Sequence, residues 1–266
     1  DVIGVGNGVL KLGVEPQLIK GFHEYKISKF TETDYEPYDP ENPRVKILMG
    51  IYRDIFIEPD VLNYMLMHAS TGLDNEESAC ILTLLVAGGQ NGKTAFAKMM
   101  HNTLGNMYCA AGKPSLLTAP MERGESANSA QMQQRGKRWF YIDEFNKCEV
   151  LNTARVKAMV TPGWQSGRDL HERQANFKNT SNTVCYSNFD FIVDTTDHGT
   201  WRRIYYYKNK MSFRQDPNPD NPFEKKVDPR VIDVYPNDPL YLTANLSILV
   251  HYNTILRRDY GGDLKN

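Results

Sequence analysis

The chain has 266 residues, a formal net charge of −1 and 41% hydrophobic residues. That is long enough for one large domain, or one domain with a small accessory, and too balanced in charge for a uniformly basic nucleic-acid coat, so any nucleic-acid contact must come from a local patch. The four cysteines (Cys80, Cys109, Cys148, Cys185) are widely spaced and form no C-x-x-C or zinc pattern, which reads as reduced intracellular thiols with no structural metal. No apolar run reaches membrane-spanning length, so no membrane partner is expected. The first residue is Asp1 rather than Met, which points to a fragment and makes a missing signal peptide uninformative.

Residues 1–43 read as irregular or short β structure. Gly4, Gly6 and Gly8 precede Val9-Leu10-Lys11-Leu12. The spacing is not G-x-G-x-x-G and no helix-opening pattern follows, so a dinucleotide site is not expected. The segment from Tyr35 to Pro40, with Pro43 beyond it, reads as a linker or turn. Residues 44–79 read as a small helical unit: Val45, Leu48, Ile51, Tyr52 and Ile55 recur at helical spacing, Pro59 marks a break, and Val61, Leu62, Met65 and Leu66 continue in a second helix.

Residues 80–94, CILTLLVAGGQNGKT, dominate the chain. Ile81 to Val86 is an apolar run of buried-strand length. A turn of Ala87, Gly88, Gly89, Gln90, Asn91 and Gly92 follows, then Lys93, Thr94 and a helical pattern. Strand, glycine-rich turn, Lys-Thr and helix is the layout of a phosphate-binding loop. Glycines let backbone N–H groups close around phosphate oxygens. Lys93 supplies a point charge for the β/γ-phosphates, and the Thr94 hydroxyl is a Mg²⁺ ligand. The usual first glycine of the motif is Ala87 here. The competing reading is an ordinary glycine turn.

Downstream, Trp139, Phe140, Tyr141 and Ile142 form an aromatic-apolar strand that ends in Asp143-Glu144. Two carboxylates at the tip of a buried strand suit a Walker B site: Asp143 for Mg²⁺, Glu144 to polarise the attacking water. A solvated acidic turn is the alternative. A basic stretch from Arg155 to Lys178 holds Lys157, Arg168 and Arg173, with Gly163, Trp164 and Gly167 among them. It suits either a hairpin that reads a phosphate backbone or a solvated charged surface. Thr183 to Tyr186 reads as a strand ending at Ser187-Asn188. Asn188 there suits positioning of the water, or a plain turn. Trp201-Arg202-Arg203 precedes a further strand, Ile204 to Tyr207, and the two arginines read as surface charges or as arginine fingers. Residues 211–239 hold six prolines and read as a long loop or wrapping segment. Asp238-Pro239 is an N-cap and first helical position, and the helix runs to Arg257-Arg258 before Gly261-Gly262.

This ordered set resembles superfamily 3 helicases, in particular the primase–helicase family of large DNA viruses, the poxvirus and African swine fever virus type. The motifs that carry the resemblance are AGGQNGKT with Asn91 before Gly-Lys, YIDEF at 141–145, Lys157 to Gly163 followed by Gly167-Arg168-Asp169-Leu170-His171, YSN at 186–188 and GTWRR at 199–203. Where the family has Gly-Gly-Asp, this chain has Thr161-Pro162-Gly163-Trp164-Gln165. The resemblance implies an α/β AAA+ P-loop NTPase core with a parallel central sheet over 80–210. It would be preceded by the segment 1–43 and a helical collar-like unit over 44–79, and followed by a Pro-rich wrap and helix over 211–266. It implies ATP and Mg²⁺ as cofactors, held by Gly88, Gly89, Gln90, Asn91, Gly92, Lys93, Thr94 and Asp143. Glu144, Asp143, Asn188, Arg202 and Arg203 would be catalytic, with Arg202 or Arg203 reaching a neighbour's site. Lys157, Arg168, His171 and Arg173 would bind DNA. It implies a homo-hexamer that translocates on single-stranded DNA at viral replication sites in the host cytoplasm, with a primase portion N-terminal to residue 1 in the full-length protein. Other readings are a packaging or remodelling ring ATPase and a nucleotide-dependent replication scaffold. A P-loop kinase does not need the Trp-Arg-Arg motif after Asn188.

Overall fold

A computed structural model describes residues 1–21, 25–75, 79–120, 132–167, 175–193 and 195–265. In chain order it opens with three short strands, β1 (Val2–Val5), β2 (Gly8–Lys11) and β3 (Gln17–Ile19), then helices α1 (Pro43–Ile55) and α2 (Pro59–Ser70). Strand β4 (Leu82–Val86) leads through the glycine turn to α3 (Lys93–Tyr108). Then come β5 (Cys109–Gly112), α4 (Ser115–Thr118), β6 (Trp139–Ile142), α5 (Thr153–Val160), β7 (Gly163–Gly167), β8 (Ala175–Asn179), β9 (Asn182–Ser187), α6 (His198–Trp201) and β10 (Ile204–Lys208). The chain closes with β11 (Ser212–Arg214), β12 (Glu224–Lys226), α7 (Arg230–Asp233) and α8 (Pro239–Tyr260). No helix among the described residues is long and apolar enough to cross a membrane.

The chain divides into two compact units, each made of non-contiguous stretches: Asp1–Asn75 with Gln90–Cys109 and Asn209–Asn266, and Glu76–Gly89 with Ala110–Lys208. The first unit is built on α8. Asp238 caps it, its side chain accepting from the Leu240 N–H at 2.9 Å, Pro239 sits where no N–H is needed, and Gly261 ends it in the left-handed conformation (φ 62°). Thr243 to Val250 are buried without interruption, so this is an interior helix rather than a one-faced one. It packs against α1, α2 and α3. Polar side chains inside this core are paired: the Tyr52 hydroxyl donates to Asn245 Oδ1 at 2.6 Å, and Asn245 Nδ2 donates to Thr103 Oγ1 at 2.8 Å. Paired groups avoid the desolvation cost that an unpaired one would impose, about 1–3 kcal/mol. The sheet β1-β2-β3 is antiparallel. The early glycines are explained by close backbone approach: a Cβ on Gly6 would stand 2.6 Å from the Glu32 carbonyl oxygen, while its N–H donates to Thr33 O at 2.8 Å.

The second unit holds a five-stranded sheet in the order β10-β4-β9-β6-β5. The pairs β10–β4, β4–β9 and β9–β6 are parallel, with Leu82 level with Ile204 and Thr183, and Ile142 level with Cys185. Strands β4 and β9 are buried at every position, as parallel strands covered on both faces must be. Alternation puts Leu82, Leu84, Phe140, Ile142 and Cys185 on one face. There they form a single core with Leu117 of α4 and Val156, Met159 and Val160 of α5. Helix α5 starts at Asn152, whose side chain accepts from the N–H groups of Ala154 and Arg155 at 3.1 and 3.2 Å.

Candidate nucleotide site

The turn from Ala87 to Gly92 has the backbone that its glycines foretell. Gly89 and Gly92 have φ of 76° and 86°, and Gln90, a non-glycine, has φ of 51°. Gly92 cannot carry a side chain: besides its φ, a Cβ there would lie 2.5 Å from Ile55 Cγ1. The loop is fastened from the C-terminal segment of the same unit. The Phe213 N–H donates to Gln90 O at 2.6 Å, and Asn209 Nδ2 donates to Asn91 O at 3.2 Å. Asn91 is 2% exposed. Its Oδ1 accepts from the Lys93 N–H at 3.3 Å, and its Nδ2 is buried with no hydrogen-bond partner among the described residues. A donor buried without an acceptor is costly, and an anionic oxygen at the turn would relieve it.

Lys93 opens α3 and is 7% exposed. Burial lowers its ammonium pKa to about 8, because removing water penalises the charged form. A bound phosphate would favour the charged form of such a lysine. Thr94 is exposed. The turn and the head of α3 therefore fit a triphosphate: positive-φ backbone, a helix N-terminus, an orphaned amide donor and a desolvated lysine.

In the second unit the carboxylates lie where the sequence places them, directly after β6. Burial first, and then the charge of Glu144, raise the Asp143 pKa. A group in that condition is stabilised as a carboxylate by a nearby cation. Glu144 is exposed, with φ of 61°. Of the four positive-φ non-glycines among the described residues, Gln90 and Glu144 fall on the two motifs. Such backbone costs of order 1 kcal/mol or more, and it persists where the surroundings hold it. Ser187, last residue of β9, accepts from the Ala87 N–H at 3.0 Å, and exposed Asn188 follows it. The carboxyl ends of β4, β9 and β6 thus collect Ala87, Asn188 and Asp143-Glu144 along one edge of the sheet.

Arg202 and Arg203 are elsewhere. They precede β10, which runs parallel to β4, and the Arg203 carbonyl accepts from the Leu82 N–H at 2.7 Å. That is the opposite, amino-terminal edge, about 15 Å away at the usual rise per strand residue. Arg203 is half-buried, and its Nη1 donates to the Gly199 carbonyl. Arg202 is exposed. Helix α6 ahead of them is capped by Asp197, which accepts from Gly199 and Thr200. Asp197 in turn pairs with Lys157 of α5 at 2.5 Å, and these bonds, Lys157's first, hold its carboxyl well below the usual range. The structure therefore gives Lys157 a partner in the protein. Strands β7 and β8 form an antiparallel hairpin with Trp164 opposite Lys178, and Trp164 is 78% exposed. Arg168, His171 and Arg173 lie outside the described residues.

Sequence reasoning missed Asn209, Phe213 and Asp197. Asn209 is a strand-tip asparagine like many others, and its partner is 118 positions away, so no local signal marks it. Asp197 was legible as a helix cap only by recognising a four-residue helix.

The glycine turn, the Lys-Thr helix start and the acidic strand tip on a parallel sheet define an α/β P-loop fold of the AAA+ kind. No family model matches the chain. The chain is 42% identical over 265 residues to C962R, named as a primase, of African swine fever virus (isolate Tick/Malawi/Lil 20-1/1983), a match covering 99% of this chain and 28% of that protein. It is 25% identical over 239 residues to 184R, named as a helicase, of Invertebrate iridescent virus 6, covering 80% of this chain and 24% of that one. Among solved structures, the apo NrS-1 C-terminal region aligns with a TM-score of 0.56 at 12% identity, over 99% of this chain and 70% of that one, a likeness of fold. The chain belongs to the superfamily 3 primase–helicase family of large DNA viruses. It spans about a quarter of the length of the curated relatives named here.

Proposed function

We propose that this chain is the ATP-driven helicase motor of viral DNA replication, acting as a hexameric ring on single-stranded DNA and hydrolysing ATP between subunits. The observation that supports the reading best is the separation of the two sheet edges. Carboxylates and Asn188 sit at one end of the parallel strands, Arg202 and Arg203 at the other. An arginine that stabilises charge on the transferring phosphoryl group must approach it closely. From the far edge of its own sheet it meets that need only on a neighbouring subunit.

In this reading Gly88 to Gly92 offer backbone N–H groups to the phosphates, Lys93 neutralises the β/γ oxygens, and Thr94 and Asp143 hold Mg²⁺. The ion, when bound, would neutralise phosphate charge. Glu144 orients and deprotonates the attacking water, Asn188 senses the γ-phosphate, and Arg202, the exposed member of its pair, reaches the next subunit. Arg203 holds the turn through Gly199. Lys157, Arg168, His171 and Arg173 contact DNA, with Lys157 exchanging Asp197 for a phosphate. The full-length protein carries a primase portion ahead of residue 1 and works at replication sites in the host cytoplasm. The test is ATP turnover with and without single-stranded DNA, together with unwinding of a forked duplex. Stimulated turnover with unwinding is the expected result. Slow turnover indifferent to DNA would favour the scaffold reading, and stimulated turnover without unwinding a packaging or remodelling ATPase.

A further inference from the structure

Asn209 and Phe213 fasten the glycine turn, and the direction of their bonds has a further consequence. In a trans peptide unit the C=O of one residue and the N–H of the next lie in one plane and point opposite ways. A carbonyl that is held therefore aims the N–H that follows it. Three successive carbonyls of the turn are held. The Gln90 carbonyl accepts from the Phe213 N–H at 2.6 Å, and the Gly92 carbonyl from the Phe96 N–H at 3.0 Å. The Asn91 carbonyl between them accepts from Asn209 Nδ2 at 3.2 Å. The N–H groups of Asn91, Gly92 and Lys93 are thereby turned away from these partners. Two of the three bonds are main-chain bonds that any residue but proline could make. The third depends on one side chain.

That side chain has a fixed orientation. Asn209 is 6% exposed, and its Oδ1 accepts from the Met211 N–H at 2.8 Å. An amide carries its acceptor on one side and its donors on the other, so the Met211 bond commits Nδ2 to Asn91. Without that donor the Asn91–Gly92 peptide could flip through ψ of Asn91 and φ of Gly92, and glycine accepts either sign of φ. Gly92 stands at φ of 86°. We propose that Asn209 is a positioning residue for phosphate binding: by holding the Asn91 carbonyl it keeps the Gly92 N–H aimed at a phosphate oxygen of the bound nucleotide. A donor fixed beforehand costs no ordering when the ligand arrives. The proposal rests on the reading of the turn as a phosphate cradle.

The experiment measures calorimetric binding of inorganic triphosphate to the wild type, Asn209→Leu and Asn209→Asp at pH 5.5 and 7.5, with urea unfolding of each to show that it folds. Each variant is compared with the wild type at the same pH, so the charge states of Lys93 and of the probe cancel. Asn209→Leu has no donor and is expected to bind roughly tenfold more weakly at both pH values, about 1.4 kcal/mol. A protonated carboxyl can donate to the Asn91 carbonyl, whereas an ionised one is acceptor-only and repels it. Asn209→Asp is therefore expected to lose roughly tenfold at pH 7.5 and to come within about threefold of the wild type at pH 5.5. Binding by Asn209→Leu equal to that of the wild type overturns the proposal. So does a loss in Asn209→Asp that is the same at both pH values or larger at the lower one, which marks a packing role alone. Wild-type binding by Asn209→Asp at both pH values, beside weak binding by Asn209→Leu, supports it, because a carboxyl protonated throughout still donates. If Asn209→Leu does not fold, recovery of Asn209→Asp at the lower pH decides, and its absence overturns the proposal. If the wild type binds no triphosphate, or Lys93→Ala binds it as the wild type does, the phosphate reading fails first and the role of Asn209 with it.

Discussion

The two ends of the five-stranded sheet differ in charge and in construction. The carboxyl-terminal end carries Asp143 and Glu144, the latter with left-handed backbone, and the exposed Asn188. The amino-terminal end carries Arg138 before β6 and Arg202-Arg203 before β10. Parallel strands make this separation unavoidable, because every strand presents its start to one side and its tip to the other. An antiparallel sheet would have mixed the two sets. What the contrast teaches is that acid and base in this unit serve separate encounters. One end is suited to a cation and a water, the other to an anion.

The comparison breaks most completely at the acidic end. Glu144→Gln keeps the shape and removes the proposed base, so turnover is expected to fall by roughly 10²–10⁴-fold while ATP binding stays within a factor of about two; a turnover assay beside an equilibrium binding assay checks it. The other end should give nearly as large a loss with a different signature. Arg202→Ala is expected to spare binding and suppress turnover by roughly 10³-fold. Mixing it with Glu144→Gln should restore part of the activity, since a mixed assembly contains some interfaces with both groups intact. Absence of recovery in the mixture would place both groups on one subunit's site.

A smaller effect sharpens the role of Lys93. With its pKa lowered to about 8 by burial, the free protein loses this proton as pH rises through 8, and bound phosphate draws it back. ATP affinity is therefore expected to be flat below pH 7 and to fall by up to about tenfold per unit between pH 8 and 10, with proton uptake on binding. Lys93→Arg should flatten the profile, because a guanidinium stays charged throughout. Titrations at several pH values, in buffers of different ionisation enthalpy, read both quantities. The smallest effect concerns stability: Asn152→Ala removes the α5 cap and is expected to cost about 1 kcal/mol in urea unfolding without changing ATP affinity.

Much of this was readable before the structure, for reasons that differ by element. Strands β4, β6, β9 and β10 announce themselves through unbroken apolar or aromatic runs, since a doubly covered strand has little room for polar residues. Helix α8 is marked at both ends by Asp238-Pro239 and Gly261, where backbone chemistry is local. The glycine turn and the acidic pair are likewise local signals. Residues 211–239 were harder: prolines foretell a loop, but β11, β12 and α7 arise from contacts with Asp54, Gln90 and α1 that lie more than 100 positions away. Lys157 shows the same limit. A lysine among basic neighbours suits DNA equally well in sequence, and only the fold brings Asp197 to it.

The sheet's two unlike ends also carry a rule of symmetry. Two copies related by a twofold axis through these ends would set arginine against arginine or carboxylate against carboxylate. Copies arranged head to tail set each acidic end against a basic one. Such a contact is heterologous, leaves an acidic end and a basic end unsatisfied on every open stack, and is completed only by closure into a cycle. In the proposed ring, polarity of the strands would become polarity of the assembly.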